Sequence, residues 1–480
     1  MRWTFWLRWT HNPSNTMKIN LSQVRCFFTA ISFGLIALNP TFGTAADAPV
    51  AAARKSPDWL RKSVIYEIFP RNFSKEGDIN AITACLDELN NLGVDALWLM
   101  PIHPIGEKMR KGSLGSPYAV RDYFAINPDY GTADDFKKLV AGAHQRGMKV
   151  IMDIVAGHTA WDSVLIQQHP EFYKKDDAGK IIPPNPDWTD VAGLNYENQE
   201  LRRYMIEMLK HWTKNFGVDG FRCDVAFTVP TEFWETARRE LEQLNPEVVL
   251  LADANAAPKL VAKAFDMDNS GALHSALNRV MSGVAPAYLL QQSWENTRQQ
   301  FPQGSLHLRF SDDHETTRAV ARFGMNGALA VQVLMLTLDG VPLFYNGMEV
   351  GDAAESGDPA LFEKLPIFWN VNGRPPLRDI YRNLIKLRKQ HPAFQNDSVV
   401  WLQNTVSAEV VTFSRRDDKD EFVICINLSS RMASGSVEIP KAEDFTLLKI
   451  DGMPASPKNL LPEFRLAGYE WRIYQRTITK

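Results

Sequence analysis

Between Trp59 and His391 the apolar residues fall into two alternating rhythms. Short uninterrupted apolar runs predict buried strands, and stretches with apolar residues every three or four positions predict helices. The runs lie at 64–69, 96–100, 149–155, 221–224, 248–253, 307–310 and 341–345, with a shorter unit around 264–268. Helical spacing lies at 79–92, 132–146, 200–216, 231–244 and 319–337, and once more at 377–389. Gly93 and Gly147 stand where helices should end, and Pro101 stops the second run. Eight strands alternating with helices is the count of a closed (β/α)8 barrel.

Two stretches interrupt the rhythm. The loop 101–128 holds Gly112, Gly115, Pro117, Tyr118, Asp122 and Tyr123, and loops of such length at strand ends carry binding function. The stretch 159–196 has neither period and is rich in Pro, Asp and aromatic residues, which reads as a short excursion after strand three packed over the barrel mouth. Beyond Pro392 the pattern changes to short alternating runs at 399–402, 410–414, 421–427, 434–439, 446–450 and 470–474. These suit a C-terminal antiparallel β-domain, a sandwich over 393–480, appended to a barrel over 58–392.

Several apolar runs end in charge: Asp153 leading to His158, Arg222 and Asp224 in the stretch 219–225, Asp253, and the group 312–315. Singly, an Asp at a strand end reads as a helix cap or as a partner for a nearby Arg. In a parallel barrel, however, all strand C-termini share one face, so these groups converge, and converging carboxylates are costly unless they do chemistry.

Composition narrows the function. The chain of 480 residues is 45% hydrophobic and 23% charged with a net charge of -3, which describes a globular protein without a polyanion-binding face and excludes nucleic acid as an expected partner. Lys18 and Arg25 precede an apolar run at 26–38, and small residues follow up to Ala45. This is the pattern of an export signal over 1–45, with Met17 as an alternative start and a flexible lead over 46–57. The same run would also serve as an uncleaved anchor. Removal of the signal leaves Cys85, Cys223 and Cys425, an odd and widely spaced set that reads as buried thiols with no metal-ligand spacing.

At these residues the chain resembles the α-amylase family of glycoside hydrolases. The family's four short signatures stand in order at 153–158, 220–224, 251–253 and 310–315, supported by Ser116, Pro117 and Tyr118 with Arg121, Asp122 and Tyr123, and by 340–349. The resemblance implies a TIM barrel and retaining cleavage of α-glucosidic bonds in glucans or malto-oligosaccharides. By the same resemblance Asp224 is the nucleophile, Arg222 holds it ionised, Asp253 is the acid/base and Glu315 the third carboxylate. Tyr118, His158 and His314 line the sugar pocket. Retaining hydrolysis needs one carboxylate ionised and one protonated, about 5 to 5.5 Å apart.

The sequence departs from that family at four positions. Asp253 replaces a Glu, Glu315 replaces an Asp, and Gly157 and Asp313 each stand where Asn is usual. A methylene moves a carboxyl by about 1.5 Å, and misplacement on that scale costs about 100-fold in rate. Either the backbone compensates and the chain cleaves or transfers α-glucosyl groups, or the barrel serves as a glycan-binding or partner-binding module. Asp153 is expected to position Arg222. His103 either lines the cleft or bonds backbone, His274 and His307 are structural, and Trp161 and Trp188 are sugar platforms or a local core. Calcium is common in the family, but Gly157 removes an oxygen near its usual place, so no metal or other cofactor is assigned. The resulting expectation is an exported, periplasmic or extracellular enzyme with a glucan substrate and no membrane association once the signal is cleaved.

Overall fold

Each barrel run is uninterrupted because a parallel strand covered by helices is buried on both faces. In the computed structural model, which describes residues 52–254, 257–354, 358–370, 377–451 and 461–478, eight such strands close into a barrel. They are β1 (Ile65–Ile68), β2 (Ala96–Leu99), β3 (Lys149–Ile154), β4 (Gly220–Cys223), β5 (Val249–Ala252), β6 (Met267–Asp268), β7 (Leu306–Arg309) and β8 (Val341–Tyr345). Each pairs in parallel with the next, and β8 closes on β1 with Ile65 opposite Leu343. The signal expected over 1–45 and the alternative start at Met17 lie outside the described residues.

The expected helices are present, with differences of which three bear on the barrel's outline and with short further helices such as Pro258–Lys263. The helix read over 79–92 is divided at Cys85, whose N–H bonds Ile82 O, into Ile79–Ala84 and Leu86–Leu92. Between β6 and β7 two further helices, Gly271–Met281 and Leu289–Gln300, occupy a stretch the periodicity left unassigned. The long apolar helix Ala319–Thr337 turns at Gly324, whose φ of 69° is non-helical. The excursion contains a short antiparallel pair, His158–Ala160 with Val191–Gly193.

The lead expected to be flexible is docked at its end. Ala53 N–H donates to Gln303 O at 2.9 Å, and Arg54 pairs with Asp266 and Glu242. An arginine that meets a buried carboxylate has a partner worth ordering for. Cys223 and Cys425 are buried thiols as expected, whereas Cys85 is partly exposed at its helix junction.

The C-terminal region forms a five-stranded antiparallel sheet (Val400–Trp401, Val410–Arg416, Asp420–Asn427, Trp471–Thr477, Thr446–Leu447) and a two-stranded one, Ala433–Ser436 with Glu463–Leu466. The last of these strands was not read from the sequence. A separate apolar cluster that includes Val423, Phe445, Phe464 and Tyr474 fills the space between them. All of the described residues belong to one unit, Ala51–Lys480.

Candidate active site

Side chains two apart on a strand share a face, so strand parity decides what enters the barrel. Ile65, Ile151, Leu251 and Met267 belong to the apolar cluster inside it. Two residues further along, at the C-terminal end, stand Glu67, Asp153, Asp253 and Asn269. Arg222 lies in register with Asp153 on one side and Leu251 on the other, and Asp224 follows it with the same parity. At Gly220, which starts this strand, a Cβ would lie 2.4 Å from Val249 O, so only glycine fits there.

Arg222 is the hub of the group. Its Nη1 is 3.0 Å from Asp224 Oδ1 and 3.1 Å from each oxygen of Asp153, and its Nη2 is 2.8 Å from Asp253 Oδ2. The guanidinium also lies against the rings of Trp98 and Tyr118. Burial opposes its charge, but Asp153, Asp253, Tyr118 and Asp224 more than offset this and hold it cationic. Asp153 is fully buried and also accepts from Trp98 Nε1 at 3.2 Å and Tyr118 Oη at 3.1 Å. It positions Arg222.

Asp253 is surrounded by donors. Val225 N–H reaches its Oδ2 at 3.2 Å, and Asn269 Nδ2 reaches its Oδ1 at 2.7 Å. Asp224 behaves differently. Burial pushes its carboxyl well above the usual range; Arg222 pulls the other way, and the negative charges of Asp253, Asp153 and Glu315 add to the rise. With more carboxylates than cations the cluster retains a proton, and burial favours it on Asp224, the reverse of the ionised nucleophile that the resemblance implied; attack by Asp224 requires that proton to leave it first.

On the opposite side His314 forms a second relay. Its Nδ1 is 2.5 Å from Glu67 Oε1 and its Nε2 is 2.7 Å from Tyr118 Oη, which in turn donates to Asp153. Burial disfavours the imidazolium, yet the Glu67 charge and hydrogen bond raise His314 to about 9. Burial raises Glu67 to about 7, against the pull of His314. Glu315, with 39% of its side chain exposed, stands at the mouth with Oε1 4.0 Å from His314 Nε2. A recess lined by Trp98, Arg222, Asp253, Asn269, His314 and Glu315 joins these groups.

The structure thus gathers Asp224, Asp253, Glu315, Tyr118, Arg222 and His314. His158 is buried at the edge of the excursion beside Trp188, with ring centroids 5.7 Å apart, and burial lowers it to about 4, so it acts as a neutral ring. Trp188 packs on Ala119, Ala160 and Val191, and Trp161 donates to Thr189 O. His103 is fully buried and bonds Ala125 O, His307 pairs with Asp268, and His274 stacks on Phe310. Glu67, Trp98 and Asn269 were not singled out from the sequence; counting parity from the strand ends would have found them.

A Cβ at Gly157 would meet Thr228 Oγ1 at 2.8 Å, and that hydroxyl donates to Val225 O. Among the described residues no group of three or more His, Cys, Asp or Glu is placed to hold a metal.

Comparison with known proteins agrees with the barrel fold. The alpha amylase catalytic domain family matches residues 60–180 and 185–364. An alpha-amylase from Lactobacillus plantarum superposes with a TM-score of 0.78 at 30% identity, covering 87% of this chain and 100% of that one. Alpha-amylase MalA of Haloarcula japonica is 28% identical over 87% of this chain, and the match spans 62% of that protein's length. An intracellular maltogenic amylase of Bacillus subtilis is 26% identical over 77% of this chain and 67% of its own. With its catalytic-domain match running through all eight barrel strands and the residues gathered at their ends, this chain belongs to the alpha-amylase family of glycoside hydrolases.

Proposed function

We propose that the protein hydrolyses α-glucosidic bonds of glucans or malto-oligosaccharides with retention of anomeric configuration. Asp224 attacks the anomeric carbon while Asp253 protonates the departing oxygen. Asp253 then takes a proton from water as that water displaces Asp224, and Glu315 with Tyr118 and His314 holds the sugar. The observation that carries this reading is that one guanidinium touches both Asp224 and Asp253 at adjoining strand ends, so the two carboxylates that double displacement uses stand beside one another. The shortened Asp253 is thereby supported in a place from which a longer Glu would project about 1.5 Å further.

The second reading, a glycan-binding module, draws on the three donors around Asp253, which hold it as an acceptor. Product formation from linear, cyclic and branched α-glucans separates the two. Turnover by the native protein that Asp224→Asn abolishes supports the enzyme; an inert native protein that gains activity as Asp253→Glu, or that binds glycan without turnover, supports the module. Transfer in place of hydrolysis would appear in the same assay as lengthened products.

Export is part of the proposal on the strength of the leader pattern alone. N-terminal sequencing of the mature protein tests cleavage and cell fractionation tests export; a chain found in the cytoplasm with Met1 or Met17 retained overturns it.

A further inference from the structure

We propose that Asn269 is the positioning residue for Asp253 and serves it in both protonation states, by turning its amide. The inference rests on the reading of Asp253 as acid/base. Its starting point is register: Ala252 on β5 pairs with Asp268 on β6, so Asp253 and Asn269 leave the barrel side by side. Asn269 Nδ2 donates to Asp253 Oδ1 at 2.7 Å, while the other atom of the same amide, Oδ1, is buried without a hydrogen-bond partner among the described residues. A buried acceptor left unmade is costly and calls for an explanation.

The chemistry of Asp253 supplies one. As a carboxylate it accepts from Arg222, Val225 N and Asn269. As a carboxylic acid it carries an O–H, and an O–H needs an acceptor. Arg222 and a backbone N–H offer none, whereas an asparagine amide has donor and acceptor on one rotatable group. A half-turn about its terminal torsion replaces Nδ2 with Oδ1 at nearly the same point. In bond cleavage the proton passes from Asp253 to the glycosidic oxygen as that oxygen leaves and Asp224 bonds the anomeric carbon; the amide then donates to the new carboxylate. In the second step water gives its proton to Asp253 and its oxygen to the anomeric carbon, Asp224 departs as carboxylate, and the amide turns back.

The test compares Asn269→Leu, Asn269→Asp and Asn269→Ser with the native protein on maltotetraose and on α-maltosyl fluoride, whose leaving group needs no proton. Asn269→Leu is expected to lower kcat/KM for maltotetraose by 10- to 100-fold and to leave kcat/KM for the fluoride within about 3-fold. Asn269→Asp is expected to shift the alkaline limb of the maltotetraose pH profile upward by about one unit. Asn269→Ser, which keeps a donor and an acceptor, recovers part of the loss. Folded Leu and Asp variants with native kcat/KM and native pH profile overturn the inference, as does an equal loss on both substrates. Should Asn269→Leu fail to fold, the Asp and Ser profiles decide. If the native protein is inert on both substrates, or Asp224→Asn stays active, the catalytic reading fails and takes the inference with it; native turnover abolished by Asp224→Asn isolates the role of Asn269.

Discussion

Arg222 Nη2 lies 2.8 Å from Asp253 Oδ2, closer than its Nη1 lies to Asp224. The guanidinium is therefore a bridge between the proposed nucleophile and the proposed acid, and its planar fork is what permits it to hold both. Lysine offers only a point charge. Arg222→Lys is expected to lower kcat at least about 100-fold and, by leaving buried carboxylates unmatched, to cost about 3–5 kcal/mol of stability. Chemical denaturation beside an activity assay measures both, and a stable, active Arg222→Lys would refute the bridge.

Asp224 should cost the fold something. Its carboxyl is raised in the native state by burial, so its contribution to stability is fully present below the unfolded value near 4 and is lost as pH rises through the folded value. Asp224→Asn removes the group that must ionise. The expected outcome is an inactive protein whose Tm at pH 8 is higher than native by about 2 °C or more, with little difference at pH 4. A scan of Tm against pH for the two proteins checks the sign.

The pair of His314 and Glu67 sets an alkaline limit. His314 is raised to about 9 and Glu67 to about 7. Both groups bind their protons more tightly when folded, so the stability they supply is complete at low pH and declines as pH rises through those values. Tm should fall between about pH 4.5 and pH 9, through Glu67 up to about 7 and through His314 from there to about 9. Glu67→Gln takes away the charge that keeps His314 protonated; it is expected to cost about 3 kcal/mol near pH 7 and to flatten the alkaline slope. An unchanged slope in that variant would mean another group sets the limit.

Gly157 and Thr228 are coupled by space. Restoring the family's usual residue, Gly157→Asn, drives a Cβ to within 2.8 Å of Thr228 Oγ1, and overpacking of this kind costs about 1–3 kcal/mol. Removing the hydroxyl as well, in Gly157→Asn with Thr228→Ala, should recover most of that. A double-mutant cycle with a coupling energy below about 0.5 kcal/mol would show the two residues to be independent.

The barrel was legible because burial on both faces writes each strand as an unbroken apolar run. Leu289–Gln300 was not, since Leu290 and Trp294 are its only large buried apolar residues; Gly271–Met281 carries a stripe of Leu273, Leu277 and Val280 but follows a two-residue strand too short to set a rhythm. Asp153, Asp224 and Asp253 announced themselves as charges ending apolar runs. Glu67 sits inside such a run and Asn269 carries no charge, so only parity reveals them. That Asp253 turns to Arg222 could not be read at all: it depends on a side-chain torsion and on one missing methylene.

Two buried arginines near the end of the chain have a consequence for how the protein is made. Arg388 donates to Leu336 O, Leu338 O and Gly340 O, and Arg415, on the first long strand of the C-terminal sheet, donates to Thr337 O. Together they satisfy the carbonyls at the end of helix Ala319–Thr337, just before the chain enters β8. Because Arg415 lies beyond the barrel in the chain, the Thr337 carbonyl gains its guanidinium only once the C-terminal sheet has been made, so the last turn of a barrel helix is completed by the domain that follows it.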